Sequence, residues 1–329
     1  MNLFTRYTLI GVKKDLSMNL YNGEKLKVSI GLPVYNGDQF IRKRLESLLS
    51  QTFTDFELII SDNASTDSTS KICKEFEKKD KRIKFFQQKK NIGPSANFDF
   101  VLQESKGDYF MWTAVDDIIL PTFIEKNFQV LEKNPNIVCS VSKMKLFGET
   151  TDNLKPKSDD SMITKLFKKI KTDMGHLDTY PASGPYKKRI KEYLKNLPHN
   201  QIFYGMYRTD LIKKSHIRNS FLWCEGCTIL NLLKFGELHV VEEVLFYVYD
   251  GGVSRKGMIA VSRQINQGVL DTILPYHIFT SWCMKNLDKK IFLKNLYFFI
   301  RINCMGIFSL FVDLLRRLGN IIKNEKQRE

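Results

Sequence analysis

The chain has 329 residues, 43% of them apolar and 26% charged, which suits one large folded domain or two fused ones and excludes a disordered or fibrous polymer. Its 51 Lys+Arg against 36 Asp+Glu leave a net charge of +15, a charge that draws a protein to polyanions, meaning nucleic acid, anionic lipid headgroups or phosphorylated substrates. Six cysteines follow no disulfide-framework spacing, and the residues before Lys25 hold no signal-peptide apolar core, which predicts a reducing cytosol.

Residues 1–26 are weakly patterned and read as a lead-in. Val28 to Leu32 is a short β-rich run, ended by the turn chemistry of Pro33 to Gly37. Gln39 to Gln51 carries Phe40, Ile41, Leu45, Leu48 and Leu49 at helical spacing. Leu58 to Ile60 predict a second strand with Asp62 at its end, and Ser65, Thr66 and Asp67 offer N-caps for a helix through Phe76. Two such βα units imply a parallel sheet with right-handed crossovers. Ile83 to Gln88 read as a third strand, and the loop Asn91 to Asn97 enters a helix over Ser95 to Leu102 that stops at Gly107.

The stretch YFMWTAVDDIILP, Tyr109 to Pro121, is the centre of the pattern. An apolar run delivers two adjacent acids, Asp116 and Asp117, to the rim of a sheet. Neighbouring carboxylates repel and need a counter-charge, most simply a divalent cation; the alternative is a solvated turn capping the helix that starts near Pro121. Asp62, the Asn91–Asn97 loop and the acid pair fall at equivalent strand ends, where open α/β sheets hold ligands, here suited to a phosphorylated one. Neither G-x-x-x-x-G-K-[ST] nor G-x-G-x-x-G occurs, which argues against a P-loop ATPase and a dinucleotide dehydrogenase.

Four segments, in this order, resemble family 2 glycosyltransferases of the polysaccharide-biosynthesis type: Pro33-Val-Tyr-Asn36; Ser47 to Ser68 (SLLSQTFTDFELIISDNASTDS); Asn91-Ile-Gly93 with Asn97; and Gly107 to Pro121. The resemblance runs from Lys27 to about Gly148. It implies an α/β GT-A fold, with a Rossmann-like, mostly parallel sheet, that binds a nucleotide-sugar donor with Mn²⁺ or Mg²⁺. By the same resemblance Pro33, Tyr35 and Asn36 flank the base and ribose, and Asp62 hydrogen-bonds the uracil or ribose. Asn91 and Asn97 join the donor side, and Asp116 is the metal-binding end of the D-x-D element, with Asp117 beside it. Many members carry an acid two residues before the metal ligand; this chain departs with Ala114, which bears on the ribose contact and on the tightness of metal binding.

Asn136 to Phe147 predict another strand. Residues 149–200 are hydrophilic, Lys-rich and punctuated by Pro156, Pro181, Pro185 and Pro198; they read as a variable region, where similar transferases carry acceptor-side elaborations. His199 to Ser215 resume the resemblance with Tyr204-Gly-Met-Tyr-Arg-Thr209. Glu225 precedes an apolar helical pattern closed by Gly236, where the resemblance implies the catalytic base, usually an Asp. A glutamate placed there by the helix dipole is the other reading. Cys224-Glu-Gly-Cys227 has no second pair at zinc spacing and reads as two structural thiols. Leu245 to Lys256 suggest a closing strand and a Gly251-Gly252 loop near the diphosphate, with Arg255 and Lys256 either on phosphate or solvated.

Ile291 to Leu318 is apolar and aromatic but broken by Lys294, Arg301, Asp313, Arg316 and Arg317; its longest uncharged run, Ile302 to Val312, is eleven residues and reads as too short to span a bilayer. One or two amphipathic helices are expected there, docked on the domain or on an anionic membrane. The expected organisation is a lead-in (1–26), a catalytic domain (27–260, split near 135/136 into nucleotide and acceptor halves) and a helical region (261–329). The resulting expectation is inverting transfer from a UDP-linked sugar to a glycan or lipid-linked acceptor, by a cytoplasmic protein peripheral to the inner membrane face. Nucleic acid is not an expected partner, since the basic residues are dispersed and form no recognised motif. The alternatives are a nucleotidyltransferase, whose basic phosphate loop Gly31 to Gly37 lacks, and a non-catalytic basic protein that binds nucleic acid or glycan.

Overall fold

The computed structural model describes residues 20–21, 24–147, 179–197, 202–249, 259 and 268–326. Most of the lead-in, most of the hydrophilic stretch 149–200 and the Arg255/Lys256 loop lie outside the described residues.

A two-stranded hairpin, β1 (Leu20–Tyr21) with β2 (Glu24–Lys25), precedes the main sheet. The first half then alternates β3 (Val28–Val34), α1 (Asp38–Leu49), β4 (Phe56–Asp62), α2 (Thr69–Glu77), β5 (Ile83–Gln87), α3 (Pro94–Glu104) and β6 (Tyr109–Trp112). Every residue of β3, β4 and β6 is buried, as continuous apolar runs must be when helices cover both faces of a parallel sheet. The second half adds β7 (Ile118–Ile119), α4 (Phe123–Lys133), β8 (Ile137–Phe147), β9 (Met206–Arg208) and β10 (Glu237–Tyr249) to the same sheet. The order is β5-β4-β3-β6-β9-β8-β10-β7, and only β9 and β7 run antiparallel to their neighbours.

Register aligns the strand ends that matter. Val34 pairs with Asp62, Asp62 with Gln87, and Gly31 with Trp112, so the loops after β3, β4, β5 and β6 leave the sheet along one rim. The β9 insertion is held by Arg208, whose guanidinium donates to the carbonyls of Ile137 and Leu131 at 2.9 and 2.7 Å, tying β9 to the end of α4.

Two elements of the domain differ from the sequence-based expectation. β10 starts at Glu237 rather than near Leu245, because only Leu238 and Val240 are buried in its first half before the ladder slips between Val241 and Val244. Gly236 permits that start: a Cβ there would meet the Asn136 carbonyl oxygen at 2.3 Å, so β8 and β10 can only begin side by side around a glycine. A helix, Tyr186–Asn196, lies within the stretch read as variable; it buries Ile190, Tyr193 and Leu194, three apolar positions hidden among lysines.

The C-terminal part is helical, through Val269–Ile273, His277–Asn286, Lys289–Lys294 and the 31-residue helix Leu296–Lys326. Asp288 caps the third, accepting from the Lys290 and Ile291 N–H groups. The expectation of a stretch too short to span is corrected: Leu296–Leu315 is long and apolar enough to cross a membrane by length and composition, Arg301 and Asp313 notwithstanding.

Candidate active site

One side of the rim is built from the loops after β3 and β4. Asn36 sits in the left-handed region at φ 49°; its N–H donates to Ser65 Oγ at 2.8 Å and its Oδ1 accepts from the Thr66 N–H at 2.8 Å. Asp62 is buried; its Oδ1 accepts from the Ser65 N–H at 3.0 Å, while Oδ2 has no partner. A buried orphan acceptor is costly unless a ligand or ordered water satisfies it. Tyr35 is 49% exposed on the same rim.

The loop after β5 is tied to this rim through Asn63, which donates to Asn91 Oδ1 at 3.0 Å and accepts from the Ile92 N–H at 2.8 Å. Tyr35, Asn36, Asp62 and Asn91 are therefore brought together. Pro33 and Asn97 lie beneath them: Pro33 is buried within β3, and Asn97 is locked to Ser61, donating to its carbonyl at 2.9 Å and accepting from its hydroxyl at 2.6 Å. Both polar ends of Asn97 are used in bracing the sheet.

The acid loop hangs from α1. Ser47 Oγ donates to the Ile119 carbonyl, Gln51 Nε2 to that of Leu120 at 3.0 Å, and the Thr52 N–H to that of Pro121 at 2.9 Å. The Ser-x-x-x-Gln-Thr run, read only as part of a resemblance, is thus a clamp on the segment that carries Asp116 and Asp117. Arg44 completes it from below: it is fully buried, and one guanidinium N–H reaches the Asp117 carbonyl at 3.0 Å while Nε and Nη2 find no partner.

The two acids face differently. Asp117 is buried; its Oδ1 accepts from the Tyr249 N–H at 3.0 Å, fastening the end of β10, and its Oδ2 is orphaned. Asp116 is only partly buried. Burial, and then the neighbouring Asp116, push Asp117 up to about 7; burial raises Asp116 as well. Burial also draws Arg44 down to about 10 against the opposing pull of both carboxylates. Among the described residues, no three His, Cys, Asp or Glu side chains converge into a ready metal cage. Two carboxylates, one with a free buried oxygen, still suit a hard cation that takes its remaining ligands from phosphate and water.

Glu225 stands across the rim in the first turn of the helix Cys224–Leu232. Trp223, just before it, is held at φ 67° with its ring 4.4 Å from that of Tyr276. The Glu225 side chain is exposed to solvent. The adjacent Cys224 thiol is pushed up to about 12, chiefly by burial, which keeps it an inert thiol.

What joins the two acidic regions is Tyr204, in the short 3₁₀ turn Ile202–Tyr204. Burial raises its hydroxyl, and Asp117, Asp116 and Glu225 all add to the rise, so all three carboxylates lie within electrostatic reach of one phenol. The non-glycine residues at positive φ among the described residues are Asn36 and Ala64 (φ 60°), in the loops after β3 and β4, and Trp223, next to Glu225. Such strain collects where a site over-determines its backbone. Sequence reasoning quoted Tyr204 inside a motif and gave no role to it, or to Arg44, Asn63 and Gln51.

Solved structures share this architecture. S. aureus TarS, crystallised with UDP, superposes with a TM-score of 0.51 at 18% identity over 79% of this chain and 72% of that one. The mannosyltransferase PcManGT from Pyrobaculum calidifontis, in complex with GDP-Man and Mn²⁺, gives 0.56 at 11% identity over 89% and 75%. Both establish the fold, which is GT-A. In sequence, an uncharacterized glycosyltransferase of Methanocaldococcus jannaschii is 30% identical over 171 residues, 51% of this chain and 59% of that protein. The chain thus spans less than two thirds of the first curated relatives it matches. The sequence model of glycosyl transferase family 2 matches residues 29–215, more than half of the chain, and the protein belongs to that family.

Proposed function

We propose that this protein is an inverting glycosyltransferase that moves a sugar from a nucleotide-diphosphate donor, a UDP-sugar in the first instance, to a glycan or lipid-linked glycan. The observation that supports this reading best is the pair of buried, unpartnered carboxylate oxygens, Asp62 Oδ2 at the end of β4 and Asp117 Oδ2 in the loop after β6, where the parallel strands end. Tyr35 and the Asn36 loop flank the base, and the unpartnered Asp62 Oδ2 accepts a hydrogen bond from the uracil or ribose. Asp116, with Asp117 behind it, would hold a Mn²⁺ or Mg²⁺, which would supply positive charge against the departing diphosphate.

Glu225 acts as the base. As the acceptor oxygen bonds to the anomeric carbon and the bond from that carbon to the diphosphate breaks, the hydroxyl proton passes to the Glu225 carboxylate. An exposed carboxylate in the first turn of its helix is open to an incoming acceptor hydroxyl. We place the protein in the cytoplasm, at the inner face of a membrane that presents a lipid-linked acceptor in surface-polysaccharide synthesis.

Calorimetric titration with UDP and GDP, with and without Mn²⁺, tests the donor site. Metal-dependent UDP binding that Asp116→Ala abolishes supports the reading. No nucleotide binding with metal present would remove it and leave a basic binding protein in its place.

A further inference from the structure

The apolar surface of this protein is unevenly exposed. Of the fourteen large apolar side chains exposed among the described residues, eleven lie between Ile273 and Leu315, although the rest of the chain carries most of the apolar residues. On the helix Leu296–Lys326, the exposed Tyr297, Ile300, Ile307, Phe308, Phe311 and Leu315 share roughly a third of the circumference at about 100° per residue. The opposite side is seated on the domain. Phe298, Phe299 and Ile302 are buried, Phe299 stacks on Phe292 at 4.6 Å, and Asn303 donates to Thr280 Oγ1 at 2.8 Å. Gly306 lets the helix pass close to Tyr276, whose ring a Cβ would meet at 2.9 Å.

A helix that is apolar on both sides yet anchored along one of them cannot be ringed by lipid without tearing that anchored side from the domain. Its free side can lie flat on a bilayer. The charge around it chooses the occupant. Residues 289–326 carry eight Lys and Arg against two acids, Asp313 and Glu325, a net +6. A second copy of the chain would bring the same +6 against it, whereas an anionic lipid surface complements it.

We propose that the outer face of the helix Leu296–Lys326 is an in-plane docking surface for an anionic membrane, with Tyr297, Ile300, Ile307, Phe308, Phe311 and Leu315 inserted among the headgroups and the exposed Lys289, Lys290 and Lys294 on the lipid phosphates. This gives residues to the peripheral-membrane part of the function proposed above. It does not depend on the donor chemistry.

The test is co-sedimentation of the full chain with phosphatidylglycerol/phosphatidylcholine vesicles and with pure phosphatidylcholine vesicles. At least tenfold stronger partition to the anionic vesicles is expected, falling in high salt, with the protein released by alkaline carbonate. The exposed pair Phe308→Ser/Phe311→Ser should lower partition at least tenfold with Tm unchanged, while Phe235→Ser, equally exposed but outside this segment, should not. Equal partition of wild type and the double variant overturns the proposal, as does resistance to carbonate, which means a spanning helix. Self-association without vesicles that the double variant abolishes also overturns it, since the face then belongs to a second copy. UDP titration of the same double variant keeps the two readings apart: intact nucleotide binding with lost vesicle binding locates the defect in docking alone.

Discussion

Asp117→Asn gives the sharpest test of how the acid loop is held. Asp117 is 6% exposed and its carboxyl is pushed from the ordinary 3.8 to about 7, first by burial and then by Asp116. The folded protein therefore keeps a proton that the unfolded chain has released, and stability falls as pH rises between those two values. Each pH unit in that window is worth ~1.4 kcal/mol, so the whole rise amounts to ~4 kcal/mol, lost once the pH passes about 7. The assay is urea unfolding of metal-free protein at pH 5, 6, 7 and 8, wild type against Asp117→Asn. The wild-type advantage should shrink by ~1.4 kcal/mol per unit up to about pH 7 and then level off. Mn²⁺ favours the carboxylate, so adding it should flatten the wild-type slope. A stability difference independent of pH across the series would refute the reasoning, because the carboxyl would then be titrating at its ordinary value.

Glu225→Gln should bind donor as wild type does but lose roughly 10²–10⁴ in kcat, the usual worth of a positioned base, measured by product formation at saturating donor. An unchanged kcat would return Glu225 to a helix-end role. Gln51→Ala should cost ~1–3 kcal/mol in urea unfolding, since it strands the Ile124 N–H and removes one of the two donors to the Leu120 carbonyl. The same variant should also weaken metal-dependent nucleotide binding by loosening the loop that carries Asp116, whereas Asn97→Ala should cost stability with less effect on binding.

The first half of the sheet was the most legible part of the chain because its signals are local. A fully buried parallel strand such as Leu58–Ile60 reads as an unbroken apolar run, and its polar terminus, Asp62, marks the rim directly. Glu237–Val244 was missed for the opposite reason: a half-exposed strand with a register slip has neither a clean run nor clean alternation. Helix Tyr186–Asn196 shows three apolar positions against a lysine-rich background and carries no cap that a sequence reader would notice, since no side chain caps its start.

The site divides along the same line. Tyr35, Asn36, Asp62 and Asp116 stand at strand ends, where type and position alone suggest a ligand. Arg44, Gln51, Asn63 and Tyr204 act across 28 to 73 or more residues of chain, on partners that only the fold brings near. Arg44 is the clearest case. In sequence it is one of three basic residues on the first helix, between Arg42, Lys43 and the apolar stripe, and looks like part of a solvated face. Its place under the acid pair follows from the phase of α1 against β7, where the helix turns Arg44 inward together with Ile41, Leu45 and Leu48. A buried guanidinium with two unpartnered nitrogens is expensive on its own, and a carboxyl displaced to about 7 is expensive on its own. Placed together beneath the loop that carries Asp116, each limits the other's cost, which is why the pair is intelligible only at the level of the site.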